Sequence, residues 1–139
     1  MHFTIHGDGG SRGNPGPAGS GAVIRDENGS LIATVSQFLG VRTNNYAEYE
    51  SVILAFQALQ KIVPKEEWGV VSVDVKMDSE LVVKQVNKEY KVKHPVLKEQ
   101  FLRLREALAP FGRVQFIHVP RAQNADADAL ANEAMDRGA

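Results

Sequence analysis

Cysteine is absent from this chain of 139 residues, which excludes a disulfide framework and thiolate-bound metal sites. No apolar run is long enough to span a bilayer, and the opening segment MHFTIHGD is too polar for a signal peptide. The chain also has no internal repeat and no low-complexity tail. Because a protein without cysteine suits a reducing compartment, we expect a cytoplasmic location and no membrane partner.

The composition is that of an ordinary globular protein. Hydrophobic residues make up 43% and charged residues 24%, which is enough apolar material for one core and one domain over residues 1–139. The net charge of −1 does not by itself indicate a nucleic-acid-binding protein. Between residues 84 and 105, however, there are seven basic residues and only two acidic ones, so this segment carries a net charge of +5 and the rest of the chain −6. The segment is either a solvated helix face or a cationic patch that contacts phosphates.

The alternation of apolar residues and the turn signals predict the order β-β-β-α-β-α-α-β-α. Strands are expected at 2–7, in a hairpin over 21–40 that turns at 27–29, and at 69–78 and 113–120, with a glycine- and proline-rich loop at 10–21. Helices are expected at 43–62, 79–88, 94–112 and 124–138. Short connections favour antiparallel pairing of the first three strands, and helical crossovers favour parallel addition of the last two. The predicted fold class is α/β, a five-stranded mixed sheet with helices on both faces.

Two acids in the first third of the chain have positions that suggest a function. Asp8 directly follows the first predicted strand and precedes two glycines, where an Asp is commonly a turn residue. Glu48 lies on the apolar stripe of helix 43–62, whereas Glu50 lies nearly opposite. Thr43 or Asn45 can cap this helix, so Glu48 is either a capping-box glutamate or a carboxylate aimed across the end of the sheet.

Three more acids lie at the ends of later elements. Asp78 ends a β-branched strand and precedes Ser79, the expected cap of helix 79–88, so Asp78 either takes part in capping that helix or faces a site at the carboxyl ends of the strands. Asp126 and Asp128 both fall in the first turns of the final helix, where the helix dipole favours acids. Asp128 lies at the edge of the apolar stripe and Asp126 further toward solvent, which slightly favours Asp128 as the functional acid. Four clustered carboxylates repel one another unless a hard cation such as Mg²⁺ neutralises them.

Four motifs, in this order, resemble those of type 1 ribonuclease H. They are GDGGSRGNPGPAGSGAVI, TNNYAE, MDSELVV and NADADALAN, and together they cover nearly the whole chain. The resemblance implies a ribonuclease H-like fold and four metal-binding catalytic carboxylates, Asp8, Glu48, Asp78 and Asp128. It places Asp126 at a variable position between the motif's Asn and Asp.

The resemblance also implies which residues contact the substrate. The motif positions that lie against the nucleic acid in this family are Gly9, Gly10, Asn14, Thr43, Asn44 and Asn45. Asn124 begins the last motif and either shapes the loop or contacts the substrate. The lysines between residues 84 and 98, among them Lys88, Lys91 and Lys93, are candidates for contacts with DNA-strand phosphates, and so is Arg103.

Two departures from the best-known bacterial form stand out. The segment NKEYKVKHPVLKEQ leaves no room for the long basic insertion of that form. Its loop histidine is replaced by the segment VPRAQN, in which Arg121 could take over part of the role, although a guanidinium is a poor general acid. His118 is nearby but fits a strand pattern, which favours a structural role.

The resemblance implies cleavage of the RNA strand of RNA–DNA hybrids by two-metal-ion hydrolysis, with 5′-phosphate and 3′-hydroxyl products. The implied cofactors are two Mg²⁺ ions with substrate bound, with Mn²⁺ as a substitute, and the implied partners are hybrid and, for forms without the insertion, double-stranded RNA. A monomer is expected. Two other classes stay open on the residues alone, namely a non-catalytic hybrid-binding module and another nuclease or strand-transfer enzyme on the same sheet architecture.

Overall fold

The five strands of the chain form one mixed sheet in the computed structural model, which describes all residues from 1 to 139. They are β1 (His2–Ser11), β2 (Gly16–Asp26), β3 (Leu31–Arg42), β4 (Ser72–Met77) and β5 (Arg113–His118). The order across the sheet is β3-β2-β1-β4-β5. β1 pairs antiparallel with β2, and β2 with β3, whereas β4 is parallel to both β1 and β5. The predicted fold class is therefore confirmed.

Four α-helices surround the sheet and match the predicted order. They are α1 (Asn44–Ile62), α2 (Glu80–Val86), α3 (Pro95–Leu108) and α4 (Ala125–Arg137), with short 3₁₀ segments at Lys65–Val70 and Arg121–Asn124. Thr43 caps α1 by accepting from the Tyr46 amide, and Ser79 caps α2 by accepting from the Val82 amide. Each cap satisfies an amide that has no partner within its helix. No helix has the length and apolar character needed to cross a membrane.

The helices lie on opposite faces of the sheet, and the alternation of side chains along the strands decides which helix each residue meets. Gly9 of β1 and its neighbour Ser20 of β2 face α1, and the Ser20 hydroxyl donates to the carbonyl oxygen of Ala47 at 2.7 Å. Gly21, the next residue along β2, faces α4. The main apolar core lies on the α1 side, around Tyr49, Phe56 and the inward residues of β1 and β4.

The first strand and the loop after it differ from the prediction. β1 continues through Asp8 to Ser11, and β2 begins at Gly16, so only residues 12–15 connect the two strands. Asp8 pairs with Gly21 within the ladder and is not a turn residue. Glycines signal a loop in a sequence, but here the backbone pairing of two long strands accommodates them because the helices approach the sheet closely at these positions.

Glu50 lies opposite the apolar stripe of α1, yet it is buried. Glu50 is buried between α1 and α3, where Arg103 donates to both of its carboxylate oxygens at 2.9 and 3.3 Å. Gln100 also donates to Glu50, at 3.2 Å. α1 is covered by the sheet on one side and by α3 on another, so the residue opposite its apolar stripe meets a second helix instead of solvent.

Candidate active site

An open cleft of about 360 Å³ crosses the sheet where β1 meets the carboxyl end of β4. Four carboxylates line it, and each comes from a different element: Asp8 from β1, Glu48 from α1, Asp78 from the end of β4 and Asp128 from α4. The fold thus brings together all four acids that the sequence suggested as a set. Residues 70 positions apart meet because β1 and β4 are parallel neighbours, so their carboxyl ends share one edge.

Close packing at two glycines sets the distance between the helices and the sheet. A Cβ on Gly9 would lie 2.2 Å from the carbonyl carbon of Ala47 and 2.4 Å from the amide nitrogen of Glu48. A Cβ on Gly21 would lie 2.2 Å from the carbonyl oxygen of Ala127. Only glycine permits both approaches, and these approaches place Glu48 and Asp128 beside Asp8.

Two of the acids in the cleft have raised pKa values, and burial is the main cause. Burial raises the pKa of Asp8 to about 8, and the negative charge of Asp78, a hydrogen bond with Asp128 and the remaining acids act in the same direction. Burial likewise raises the pKa of Glu48 to about 7, against the opposing effect of a hydrogen bond with Ser79. A buried carboxylate close to other acids favours its neutral form because the charged form loses hydration and is repelled.

The capping interpretations of Glu48 and Asp78 are wrong. Thr43 caps α1 by accepting a hydrogen bond from the Tyr46 amide, so Glu48 lies beyond the capping positions. The Oε2 atom of Glu48 is buried and has no hydrogen-bond partner. Ser79 rather than Asp78 caps α2. Both carboxylates are therefore free of a helix-capping role and are directed into the cleft.

The two aspartates at the start of α4 are not equivalent. Asp126 lies outside the cleft and forms an exposed ion pair with Arg25, with the two side chains 2.8 Å apart. Asp128 lines the cleft and lies 3.8 Å from the guanidinium of Arg121. The alanines at 127, 131 and 134 are buried against the sheet, so the helix angle turns Asp128 toward the cleft and Asp126 toward solvent.

The chemistry of the cleft suits a hard divalent cation, because its donors are carboxylate oxygens and one buried oxygen of Glu48 lacks a partner. As the side chains stand, no group of three or more His, Cys, Asp or Glu residues is arranged so that it could hold a metal ion. Carboxylates without a counter-ion repel one another, and a bound divalent cation would remove that repulsion. The chemistry of these residues therefore fits a site for a hard divalent cation.

Comparison with known proteins reveals close relatives of the whole chain. A family model described as reverse transcriptase-like matches residues 6–134. The bifunctional protein Rv2228c of Mycobacterium tuberculosis is 42% identical over 140 residues, which cover all of this chain and 37% of that protein. A ribonuclease HI of Halobacterium salinarum is 41% identical over 93% of this chain and 62% of its own length.

Solved structures agree with the sequence relatives. The N-terminal RNase H domain of Rv2228c, solved as a fusion with maltose-binding protein, superposes with a TM-score of 0.90 at 41% identity and covers 98% of this chain and 100% of that one. LC11-RNase H1, solved in complex with an RNA/DNA hybrid, gives a TM-score of 0.88 at 44% identity over 97% of both chains.

This chain belongs to the type 1 ribonuclease H family. It is the form without the basic insertion, since α2 ends at Val86 and α3 begins at Pro95 after a short connection. The chain spans between about a third and two thirds of the length of the curated relatives named above.

The substrate-contacting residues expected for a type 1 ribonuclease H divide between two neighbouring clefts. Gly9, Gly10, Asn44 and Arg121 line the carboxylate cleft. A second cleft of about 310 Å³ is lined by Asn14, Thr43 and Asn45, together with Arg42, Tyr46 and His94. Arg42 lies over the ring of Tyr46, with its guanidinium carbon 4.4 Å from the ring centre. These residues form one continuous edge because the 12–15 connection lies beside the start of α1.

Asn124 shapes the loop, as one of its two expected roles requires, and is not placed for the other, which was contact with the substrate. It is buried with 1% of its surface exposed, and its amide donates to the Gly7 carbonyl at 2.9 Å and to the Asp78 carboxylate at 3.2 Å. Asn124 therefore shapes the site from beneath and does not face a substrate.

The basic residues of the 84–105 segment lie in different surroundings. Lys88, Lys91 and Lys93 are exposed around the connection between α2 and α3 and do not line the carboxylate cleft. Arg103 is paired with the buried Glu50, which disfavours the phosphate contact expected of it. His118 is exposed at the end of β5 and lies outside the cleft.

Several cleft residues were not expected from the sequence. Asn132 and Met135 line the cleft from α4, and Arg12 and Ser11 line it from the glycine-rich segment. Asn132 and Met135 follow Asp128 by four and seven positions, so helix periodicity carried a signal for both. Arg12 had no such signal, because its position depends on the end of β1 rather than on a local pattern.

Proposed function

We propose that this chain is a divalent-metal-dependent endoribonuclease that cleaves the RNA strand of RNA–DNA hybrids. The observation that carries the proposal is the convergence of Asp8, Glu48, Asp78 and Asp128, from four separate elements, on one open cleft. Burial and mutual repulsion raise the pKa of Asp8 and of Glu48, which is the cost of assembling acids that a cation would offset. Such a cluster suits metal-assisted phosphodiester hydrolysis, because the carboxylates themselves would repel a phosphate unless a cation offset their charge.

The four carboxylates would hold two Mg²⁺ or Mn²⁺ ions. When bound, these ions would supply an activated water and stabilise the leaving 3′-oxygen of the RNA. Asp8, Asp78 and Asp128 would hold the ions together with Glu48, which would also contact a 2′-hydroxyl. Hydrolysis would break the bond between phosphorus and the 3′-oxygen and leave a 5′-phosphate and a 3′-hydroxyl.

Substrate discrimination would come from the residues around the carboxylates. The backbone of Gly9 and Gly10 is open to close approach by the RNA minor groove, where 2′-hydroxyl groups distinguish RNA from DNA. Asn14, Thr43 and Asn45 in the second cleft would contact the duplex beside the scissile position. Lys88, Lys91 and Lys93 would add sequence-independent contacts to the DNA-strand phosphates. LC11-RNase H1 was solved with an RNA/DNA hybrid, which supports a hybrid as the substrate of this relative.

The test compares end-labelled RNA–DNA hybrid, double-stranded RNA and double-stranded DNA of one sequence, each with Mg²⁺, with Mn²⁺ and with a chelator. We expect cleavage of the RNA strand of the hybrid with either metal and none with the chelator. Cleavage of double-stranded RNA would extend the proposal to a second substrate of the same site. Rapid cutting of DNA without hybrid cleavage would refute it in favour of another nuclease, and binding of hybrid without any cleavage would favour a binding module.

A further inference from the structure

Arg12 and Arg121 are the two cations among the residues that line the carboxylate cleft. Arg121 lies beside Asp128 near the start of α4, with the two side chains 3.8 Å apart. Arg12 instead pairs with Asp136, which lies eight residues further along α4 and therefore about 12 Å from Asp128 along the helix axis. The cleft thus has a positive group toward each end of α4, with the acids between them.

The segment around Arg12 is held in place without the Arg12 side chain. The amide and the hydroxyl of Ser11 both donate to the side-chain oxygen of Asn44, at 2.7 and 3.0 Å. The side-chain oxygen of Asn14 accepts from the Asn44 amide at 3.1 Å, and the Arg12 amide donates to the Pro17 carbonyl at 2.9 Å. These contacts anchor the segment to α1 and β2, so the ion pair with Asp136 is not needed to fix it.

The ion pair itself is exposed. The side chain of Arg12 has 48% of its surface exposed and that of Asp136 has 69%, and Asp136 is the one side-chain partner of the guanidinium. Exposed pairs of this kind contribute little to stability, so a competing anion can replace the carboxylate at little cost. A guanidinium matches a phosphate well because its planar N–H groups can donate two parallel hydrogen bonds.

We propose that Arg12 binds a phosphate of the RNA strand at the α4 end of the cleft, and that Asp136 is its exchangeable counter-ion. In the free protein Asp136 holds the guanidinium against α4, and on binding the phosphate displaces Asp136. The inference rests on the proposed function for the identity of the strand, since the scissile strand would lie along the carboxylates. Asn132 and Met135 form the wall of the cleft between Asp128 and this site.

Arg12 and Asp136 should then have opposite effects on the binding of the hybrid, and the test uses this difference. Equilibrium binding of a fluorescent RNA–DNA hybrid is measured by anisotropy over a range of salt concentrations, with a chelator present so that no cleavage occurs. Arg12→Gln should raise Kd about three- to tenfold and reduce the slope of log Kd against log salt by about one. Asp136→Asn should lower Kd about two- to threefold, because it removes both a competitor and a negative charge near the duplex.

Matched charge controls separate this contact from a general effect of net charge. Arg113→Gln and Glu66→Gln remove the same charges from exposed positions near the starts of β5 and β4, away from the cleft. Both controls should leave Kd within about twofold of the wild type. Thermal unfolding of all four variants should stay close to that of the wild type, since the pairs involved are exposed.

The strand is identified by neutral methylphosphonate linkages placed one at a time in the RNA strand or in the DNA strand of the hybrid. A methylphosphonate at one position of the RNA strand should weaken binding by the wild type. The same linkage should have no further effect on binding by Arg12→Gln. An effect confined to DNA positions would contradict the assignment to the RNA strand.

Equal weakening by Arg12→Gln and Asp136→Asn would show that the pair is a structural tether and would overturn the proposal. An unchanged Kd and salt slope for Arg12→Gln would overturn it as well. Because binding is measured without metal, a wild type that binds through Arg12 but never cleaves with Mg²⁺ would refute the proposed function alone. A wild type that cleaves normally while Arg12→Gln binds unchanged would refute this inference alone.

Discussion

Asn124 joins Asp78 to the interior of the sheet. Its side-chain amide donates to the Asp78 carboxylate at 3.2 Å and to the Gly7 carbonyl at 2.9 Å, and the residue is almost completely buried. One side chain therefore connects the end of β4, the middle of β1 and the start of α4. The position of the Asp78 carboxylate in the cleft depends on this contact.

Replacement of Asn124 should impair both folding and cleavage. Asn124→Ala leaves the buried Gly7 carbonyl without its side-chain donor and should lower the free energy of unfolding by about 1–3 kcal/mol. It should also lower kcat for hybrid cleavage more than it raises KM, because the residue positions Asp78 and does not face substrate. Urea unfolding and steady-state kinetics measure the two effects. Asn28→Ala, in an exposed turn, is the control; a stable variant with full activity would contradict the positioning role.

The two aspartates of α4 provide a matched pair of substitutions. Asp128→Asn should reduce hybrid cleavage about a hundredfold or more, since it removes one of four carboxylates from the cleft. Asp126→Asn should leave cleavage almost unchanged and cost roughly 0–1 kcal/mol of stability, because it breaks only an exposed pair with Arg25. Initial rates of hybrid cleavage with Mg²⁺ measure the difference between the two variants. The reverse ranking of the two variants would transfer the catalytic assignment to Asp126.

The buried acids predict how the stability of the metal-free protein changes with pH. The pKa of Asp8 is raised from 3.8 to about 8 and that of Glu48 from 4.5 to about 7. Between these values the folded state binds more protons than the unfolded state, so these two groups lower stability as pH rises from about 4 to about 8. The penalty is complete above the folded pKa and absent below the unfolded pKa.

Asp8→Asn isolates this effect. In the presence of a chelator, the variant should gain stability relative to the wild type as pH rises, by about 0.5–2 kcal/mol at pH 8, as is typical when strained site groups are removed. Added Mg²⁺ should stabilise the wild type at this pH and the variant less. Thermal unfolding followed by circular dichroism measures both comparisons. A difference between the two proteins that does not vary with pH would mean that Asp8 titrates normally.

Substitutions of Arg103 and Lys91 should have separate effects, one on stability and the other on nucleic-acid binding. Arg103→Gln leaves the buried Glu50 without its cation and should cost about 1–3 kcal/mol, with an unchanged salt dependence of hybrid binding. Lys91→Gln should have little effect on stability but should reduce the slope of log Kd against log salt by about one, since Lys91 is exposed and has no ion-pair partner. Urea unfolding and anisotropy titrations test the contrast. Loss of salt dependence in Arg103→Gln would restore it as a phosphate contact.

Local signals in the sequence were sufficient for the order of the elements and for several of their ends. Thr43 and Ser79 cap helices because their hydroxyls reach amides three residues ahead, which is a property of the local chain. The apolar period of the last helix correctly placed Asp128 nearer the sheet than Asp126. The motif resemblance then joined four acids into one candidate site, although no local pattern states that they meet.

Only the tertiary structure decided what each side chain faces. Asp8 lies in a strand because β2 pairs with its backbone, and Glu50 is buried because α3 covers the far side of α1. Gly9 and Gly21 allow the close helix approaches that assemble the cleft, and Asp136 takes Arg12 as a partner across more than a hundred residues of sequence. The physical reason is the same in each case. Periodicity reports one face of one element, whereas burial, charge coupling and ion pairing depend on the element packed against it.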